Sequence, residues 1–161
     1  MNPVFQSAIF HLEPMPGRPD RHVVRHPGGV AVLPVHGEDF LLIRNHRRAV
    51  GQTLLEVLAG TLERGEDPKH AVVRELKEET GAVAASWLSF GHLWPAPGFC
   101  DERLHLFIAE DLTLGAPNLE DHEEIERVLV PQSEAIQAAA AGDYPDAKTA
   151  AMILRFASRK G

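Results

Sequence analysis

Glutamates 75, 78 and 79 fall within five positions, Glu63 and Glu66 precede them, and Gly60 and Gly81 stand at the two ends. Carboxylate oxygens are the preferred ligands of hard divalent cations, so a cluster of this kind suggests a metal site. On a helix, Glu75 and Glu79 lie one turn apart, and Glu78 sits three positions from Glu75, so all three converge on one region. Without a counter-ion, repulsion at that spacing costs about 0.2–0.5 kcal/mol per pair. A bound divalent cation would turn the repulsion into attraction. Arg74, four positions before Glu78, is placed to brace an acid, and the loop from Gly60 to Glu66 can add carboxylate and carbonyl groups. A solvated acidic face would use the same residues. The three glutamates alone leave both readings open.

The elements that must hold this cluster are legible around it. Asp67 followed by Pro68 is an N-cap with proline at the first helical position, and Gly81 suits a C-terminal cap. Ala71, Val72, Leu76 and Val73 supply an apolar stripe at helical spacing. Upstream, residues 4–11 read as one strand, "RPDRHVVRH" as a turn with a second strand, and residues 30–35 with 40–43 as a hairpin turning at Gly37. "TLLEVLAG" reads as one strand running into Gly60. Downstream, strands are expected near 87–94, 104–109 and 125–130, then two helices separated by Gly142. Strands, an embedded helix, then strands and helices predict an α+β fold with a mixed sheet sandwiched between helices.

The chain is 161 residues long, 44% hydrophobic and 24% charged, which suits one soluble domain. A formal charge of −7 argues against a nucleic-acid partner held by a broad basic surface. The single cysteine, Cys100, cannot form an internal disulfide. No apolar run reaches membrane-spanning length, and the first residues lack a secretory layout. The expectation is a cytoplasmic protein with no membrane partner. Cys100 has no histidine or aspartate arrangement that would make it a nucleophile. His22 and His26 lie in a strand-and-turn run without a zinc framework.

The full spacing narrows the reading. Gly60, five residues, Glu66, seven residues, then Arg74-Glu75-Leu76-Lys77-Glu78-Glu79-Thr80-Gly81-Ala82 resembles the Nudix box at every fixed position. At average residue usage such a match arises by accident in about one chain per million or fewer. Ala82 is smaller than the aliphatic residue usual there. The resemblance implies a Nudix fold, with N-terminal strands over 1–28 ahead of a core over 29–161. It also implies hydrolysis of a nucleoside diphosphate linked to another group, using Mg²⁺ or Mn²⁺. By motif position it implies Glu75, Glu79, Glu78 and the Ala59 carbonyl as metal ligands, with Gly60, Glu66, Arg74 and Gly81 as supports.

Segments flanking the box resemble the ADP-ribose pyrophosphatase branch. Pro97, Gly98, Phe99 and Glu102 match its Pro-Gly-Phe segment with a later glutamate, and Arg47 and Glu56 match substrate-binding positions. Leu58 stands where a proline is usual, and His46 where a tyrosine is common. In that branch a loop before the final strand carries carboxylates, and Asp121 and Glu123 occupy the matching places. Glu123 is the first candidate for general base and a further metal ligand, Asp121 the second, and Glu78 the alternative within the box. Branch members form homodimers through N-terminal strands. The implied substrate is ADP-ribose, with GDP-mannose or another nucleotide sugar as the alternative. A non-catalytic ADP-ribose-binding regulator would be expected to have lost box acids, and all are present. A purely structural role leaves the convergent glutamates unexplained.

Overall fold

Asp67 and Gly81 bound the helix that carries the acidic cluster, and local chemistry fixes both ends. In the computed structural model, which describes residues 3–116 and 125–160, helix α1 spans Pro68–Thr80. The Asp67 side chain accepts from the Lys69 amide, and Gly81, at φ 68°, donates to the Lys77 carbonyl. A left-handed residue favours glycine there. Ala71, Val72 and Leu76 are buried as the stripe predicts, whereas Val73 is exposed.

The chain before α1 forms seven strands: β1 (Phe5–Gln6), β2 (His11–Met15), β3 (Arg18–Arg25), β4 (Gly29–His36), β5 (Asp39–Arg47), β6 (Gln52–Glu56) and β7 (Leu58–Thr61). After α1 come β8 (Val83–Leu93), β9 (Leu104–Thr113) and β10 (Ile125–Pro131), then helices α2 (Gln132–Ala141) and α3 (Ala147–Lys160). β1, β2 and β3 make a separate antiparallel sheet. The main sheet runs β10-β5-β4-β9-β8, with β6 on β5 and β7 on β4. Among the described strands of this sheet, β4 and β9 alone pair in parallel, which makes the sheet mixed.

Two expectations of continuous strands are corrected. Residues 4–11 break because the Ser7 hydroxyl donates to the Phe10 carbonyl and accepts from the amides of Ile9 and Phe10, closing a turn. The run 53–60 divides at Val57, whose amide donates to Thr149 Oγ1 of α3 at 2.9 Å instead of to a strand. The chain thereby passes from pairing with β5 to pairing with β4.

Alternation along β4 divides the core into two layers. Ala31 and Leu33 face α2 and α3, packing with Ala135, Met152, Ile153 and Phe156. Val30 and Val32 face the other way, onto Ala71, Val72 and Leu76 of α1. The small Ala82 is buried in this second layer. Phe40 and Phe156 meet edge to face at 5.1 Å. The result is the expected sandwich of helices about a mixed sheet, with α1 held against the face of β4 and β7.

Candidate active site

Gly60 lies on β7 opposite Val30 of β4. A Cβ at this position would collide with the carboxylate of Glu75. Glycine therefore lets an acid from α1 pack directly on the strand backbone beside Ala59. Arg74 ties the loop to the helix. Its Nε and Nη2 each donate to one oxygen of Glu66 at 3.1 Å, a two-pronged contact whose planar geometry only arginine supplies. Its Nη1 lies 2.8 Å from Glu75 Oε1 and 3.0 Å from Glu78 Oε2.

The electrostatics follow from those contacts. Arg74, helped by the Glu63 amide, holds the Glu66 carboxyl below the usual range. Glu66 above all, with Glu75 and Glu78, pushes the Arg74 guanidinium further up against the opposing effect of burial. One guanidinium thus serves three carboxylates. Glu79, at 5% exposure, adds a fourth acid, the third on α1, while Glu78 is half-open to solvent. Among the described residues no three acidic, histidine or cysteine side chains are gathered into a metal cluster as they lie, but the oxygen donors here are of the type that a hard divalent cation takes. Glu75, Glu78, Glu79 and the Ala59 carbonyl would hold it.

Beside β7 opens a cavity of about 280 Å³, lined by Arg47, Ala59, Gly60, Glu102, Asp146 and Lys148 among others. The fold therefore brings Arg47 and Glu102 to the same hollow as the box glycine. Glu102 also lies 3.8 Å from His26 Nδ1. Glu56 is different: it is fully buried, accepting from Arg47 Nε at 2.7 Å and from Lys148 Nζ at 2.6 Å. Pro97 and Phe99 stand outside the cavity lining, in a turn where the Phe99 ring is exposed and its carbonyl accepts from the Val24 amide. Cys100 Sγ accepts from the Glu102 amide at 3.4 Å. Asp121 and Glu123 lie outside the described residues.

Lys148 and Asp146 were missed at the level of sequence. Asp146 caps α3 through the amide and hydroxyl of Thr149 and also accepts from Lys148 Nζ at 2.9 Å. One signal was present: a lysine in the first turn of a helix opposes the helix dipole and needs another reason to be there.

The chain is similar to known proteins. A family model described as the NUDIX domain matches residues 25–151. The chain is 37% identical over 136 residues to an ADP-ribose pyrophosphatase of Bacillus subtilis, covering 83% of this chain and 74% of that one. It is 33% identical over 158 residues to an ADP-ribose pyrophosphatase of Mycobacterium tuberculosis, covering 92% and 70%. A GDP-mannose pyrophosphatase of Cronobacter sakazakii is 34% identical over 155 residues, covering 84% and 80%. Among solved structures, an ADP compounds hydrolase superposes with a TM-score of 0.79 at 21% identity, covering 98% of this chain and 89% of that one.

Proposed function

The chain belongs to the NUDIX family, and from that premise we propose that it hydrolyses the diphosphate bond of ADP-ribose to AMP and ribose 5-phosphate, with Mg²⁺ as its cofactor and Mn²⁺ as a substitute. The observation that carries this reading is the contact between Glu75, paired with Arg74, and the backbone of Gly60, which itself lines the cavity. Two ADP-ribose pyrophosphatases that are similar to this chain support the substrate.

Glu75, Glu78, Glu79 and the Ala59 carbonyl are the ligands of this proposal, with Glu123 as a further one. When bound, the divalent cation neutralises diphosphate charge and lowers the pKa of water. Glu66 and Arg74 fix the helix against the loop, so the carboxylates are already oriented when substrate arrives. Arg47 and Glu102 contact the substrate from the cavity wall, and Pro97 and Phe99, which lie outside the lining, contact the part of the substrate that extends beyond it. The oxygen of a water bonds to one phosphorus while the bridging P–O bond breaks. Glu123 takes the proton from that water, with Asp121 next in order and Glu78 as the replacement within the box. The leaving phosphate carries the bonding pair away.

A panel of ADP-ribose, GDP-mannose, NADH, diadenosine polyphosphates and nucleoside triphosphates tests the assignment. ADP-ribose is expected to exceed GDP-mannose in kcat/KM by at least about tenfold, or about 1.4 kcal/mol. The GDP-mannose pyrophosphatase of comparable similarity makes that sugar the second reading, and a higher value for it would overturn the first. Glu75→Gln and Glu79→Gln should each lower turnover by orders of magnitude while the protein stays folded. Wild-type turnover in both, at saturating Mg²⁺, would remove the metal assignment.

The small N-terminal sheet and the turn within it expose Phe5 with the neighbouring Val4 and Ile9, and we propose that this region pairs with a second copy of the chain. No helix among the described residues is long and apolar enough to cross a membrane. The lone cysteine supports a cytoplasmic location.

A further inference from the structure

Glu56 is fully buried, yet it is not bonded like an acid that simply needs one counter-ion. Each of its oxygens takes a different cation, Arg47 on Oε1 and Lys148 on Oε2. A buried carboxylate is tolerated only when such contacts replace its lost hydration. Both cations then continue to the same cavity. Arg47 uses only Nε on Glu56, so among the described residues its two outer nitrogens make no ion pair. Lys148 spends two of its three N–H donors, on Glu56 and on Asp146, and the third is left for the cavity it lines.

We infer that Lys148 is a substrate-contacting residue: its third N–H and the outer nitrogens of Arg47 form one seat for phosphate oxygens, and Glu56 is a positioning residue that fixes both cations without touching the ligand. The planar guanidinium supplies directed donors and the ammonium a compact charge, a combination suited to the tetrahedral oxygens of a diphosphate. The seat adjoins Ala59 and Gly60 on the cavity wall, so it lies beside the box carboxylates. Glu56 and Asp146 balance the two cations before substrate arrives, which keeps the wall stable while it waits. Asp146 is itself fixed by capping α3, so the ammonium is anchored to the start of a helix as well as to the core. The inference rests on the ADP-ribose reading and assigns the part of the substrate that this wall recognises.

The test compares steady-state kinetics on ADP-ribose, with thermal unfolding, for wild type, Lys148→Met, Glu56→Gln and the double variant Glu56→Gln/Lys148→Met. Lys148→Met should raise KM about 10- to 100-fold, the usual effect of losing a hydrogen bond to a charged group. It should change kcat by less than about fivefold, because the contact is made to bound substrate before reaction as well as during it. The single variant also leaves Oε2 of the buried Glu56 without its cation and should lower Tm. The double variant removes that charge, keeps an amide oxygen for Arg47, and should recover Tm. Its KM should remain high. Recovery of wild-type KM along with Tm would mean that Lys148 only neutralises Glu56, and would overturn the inference. So would an unchanged KM in Lys148→Met. If wild type does not turn over ADP-ribose, the functional reading itself fails, a result separable from either of these.

Discussion

At the scale of single residues, two glycines show how one amino acid meets different demands. At Gly60 an added methyl would displace the far end of the Glu75 side chain, which can rotate away. Gly60→Ala should therefore change unfolding free energy by less than about 1 kcal/mol, since alanine is otherwise no worse than glycine in a strand. Its kcat should fall about a hundredfold, the effect of misplacing a reacting group by an ångström. At Gly81 the added methyl would meet the backbone of Ala116, and φ is 68°. Gly81→Ala should cost more than about 1–2 kcal/mol, the strain of a left-handed residue alone. Urea denaturation alongside kinetics separates the two outcomes, and equal losses of stability would contradict the distinction. The proposed base has its own signature. Glu123→Gln should reduce kcat about 10²–10⁴-fold, more than Asp121→Asn does, and should also raise the Mg²⁺ requirement if Glu123 is the further ligand as well as the base. Full activity in the corresponding double variant would move the role to Glu78. The box residues were legible in sequence because fixed offsets on one helix determine their geometry. Lys148 was not, because the acid that gives it a purpose lies 92 positions away.

Secondary-structure elements repeat that contrast. The ends of α1 were readable because Asp67, Pro68 and Gly81 act within a turn of themselves. The division of β6 from β7 was not, since its cause is the Thr149 hydroxyl on the last helix, 92 positions from Val57. Ser7 lies between these cases: its turn is local, but the apolar run around it masked the signal. Thr149→Val tests the long-range element. It leaves the Val57 amide without its acceptor and α3 without one capping contact, and should cost about 1–3 kcal/mol in urea unfolding. A neutral result would mean that β7 holds its place without α3. The N-terminal sheet is joined to the rest by Arg25, which bonds Glu13 at 2.5 Å and Asp101 at 3.0 Å. The Arg25 guanidinium beside Glu13 holds that carboxyl below its usual range. A lowered folded-state pKa contributes stability that is present above the ordinary carboxylate range and lost as pH falls through the lowered value. The Tm difference between wild type and Glu13→Gln should therefore shrink between about pH 6 and about pH 3. A difference that stays constant with pH would rule out this linkage.

For the whole molecule, the proposed pairing of N-terminal sheets makes a mass prediction. Light scattering at micromolar concentration should give twice the 17.7 kDa chain mass, and Phe5→Asp should shift the population toward monomer. A fully active monomer would refute the pairing. The parallel contact between β4 and β9 carries a consequence for how the protein is made. Gly29 pairs with Leu104, 75 positions later. On a ribosome adding about 5–20 residues per second, the partner of β4 is synthesised roughly 4–15 s after β4 itself. During that interval the apolar run Val30–Val35 has its hairpin neighbour but an uncovered strand edge, the kind of surface on which nascent chains aggregate. Yield in a cell should therefore depend on chaperone supply and on the translation rate between β4 and β9, even for variants whose purified stability is unchanged.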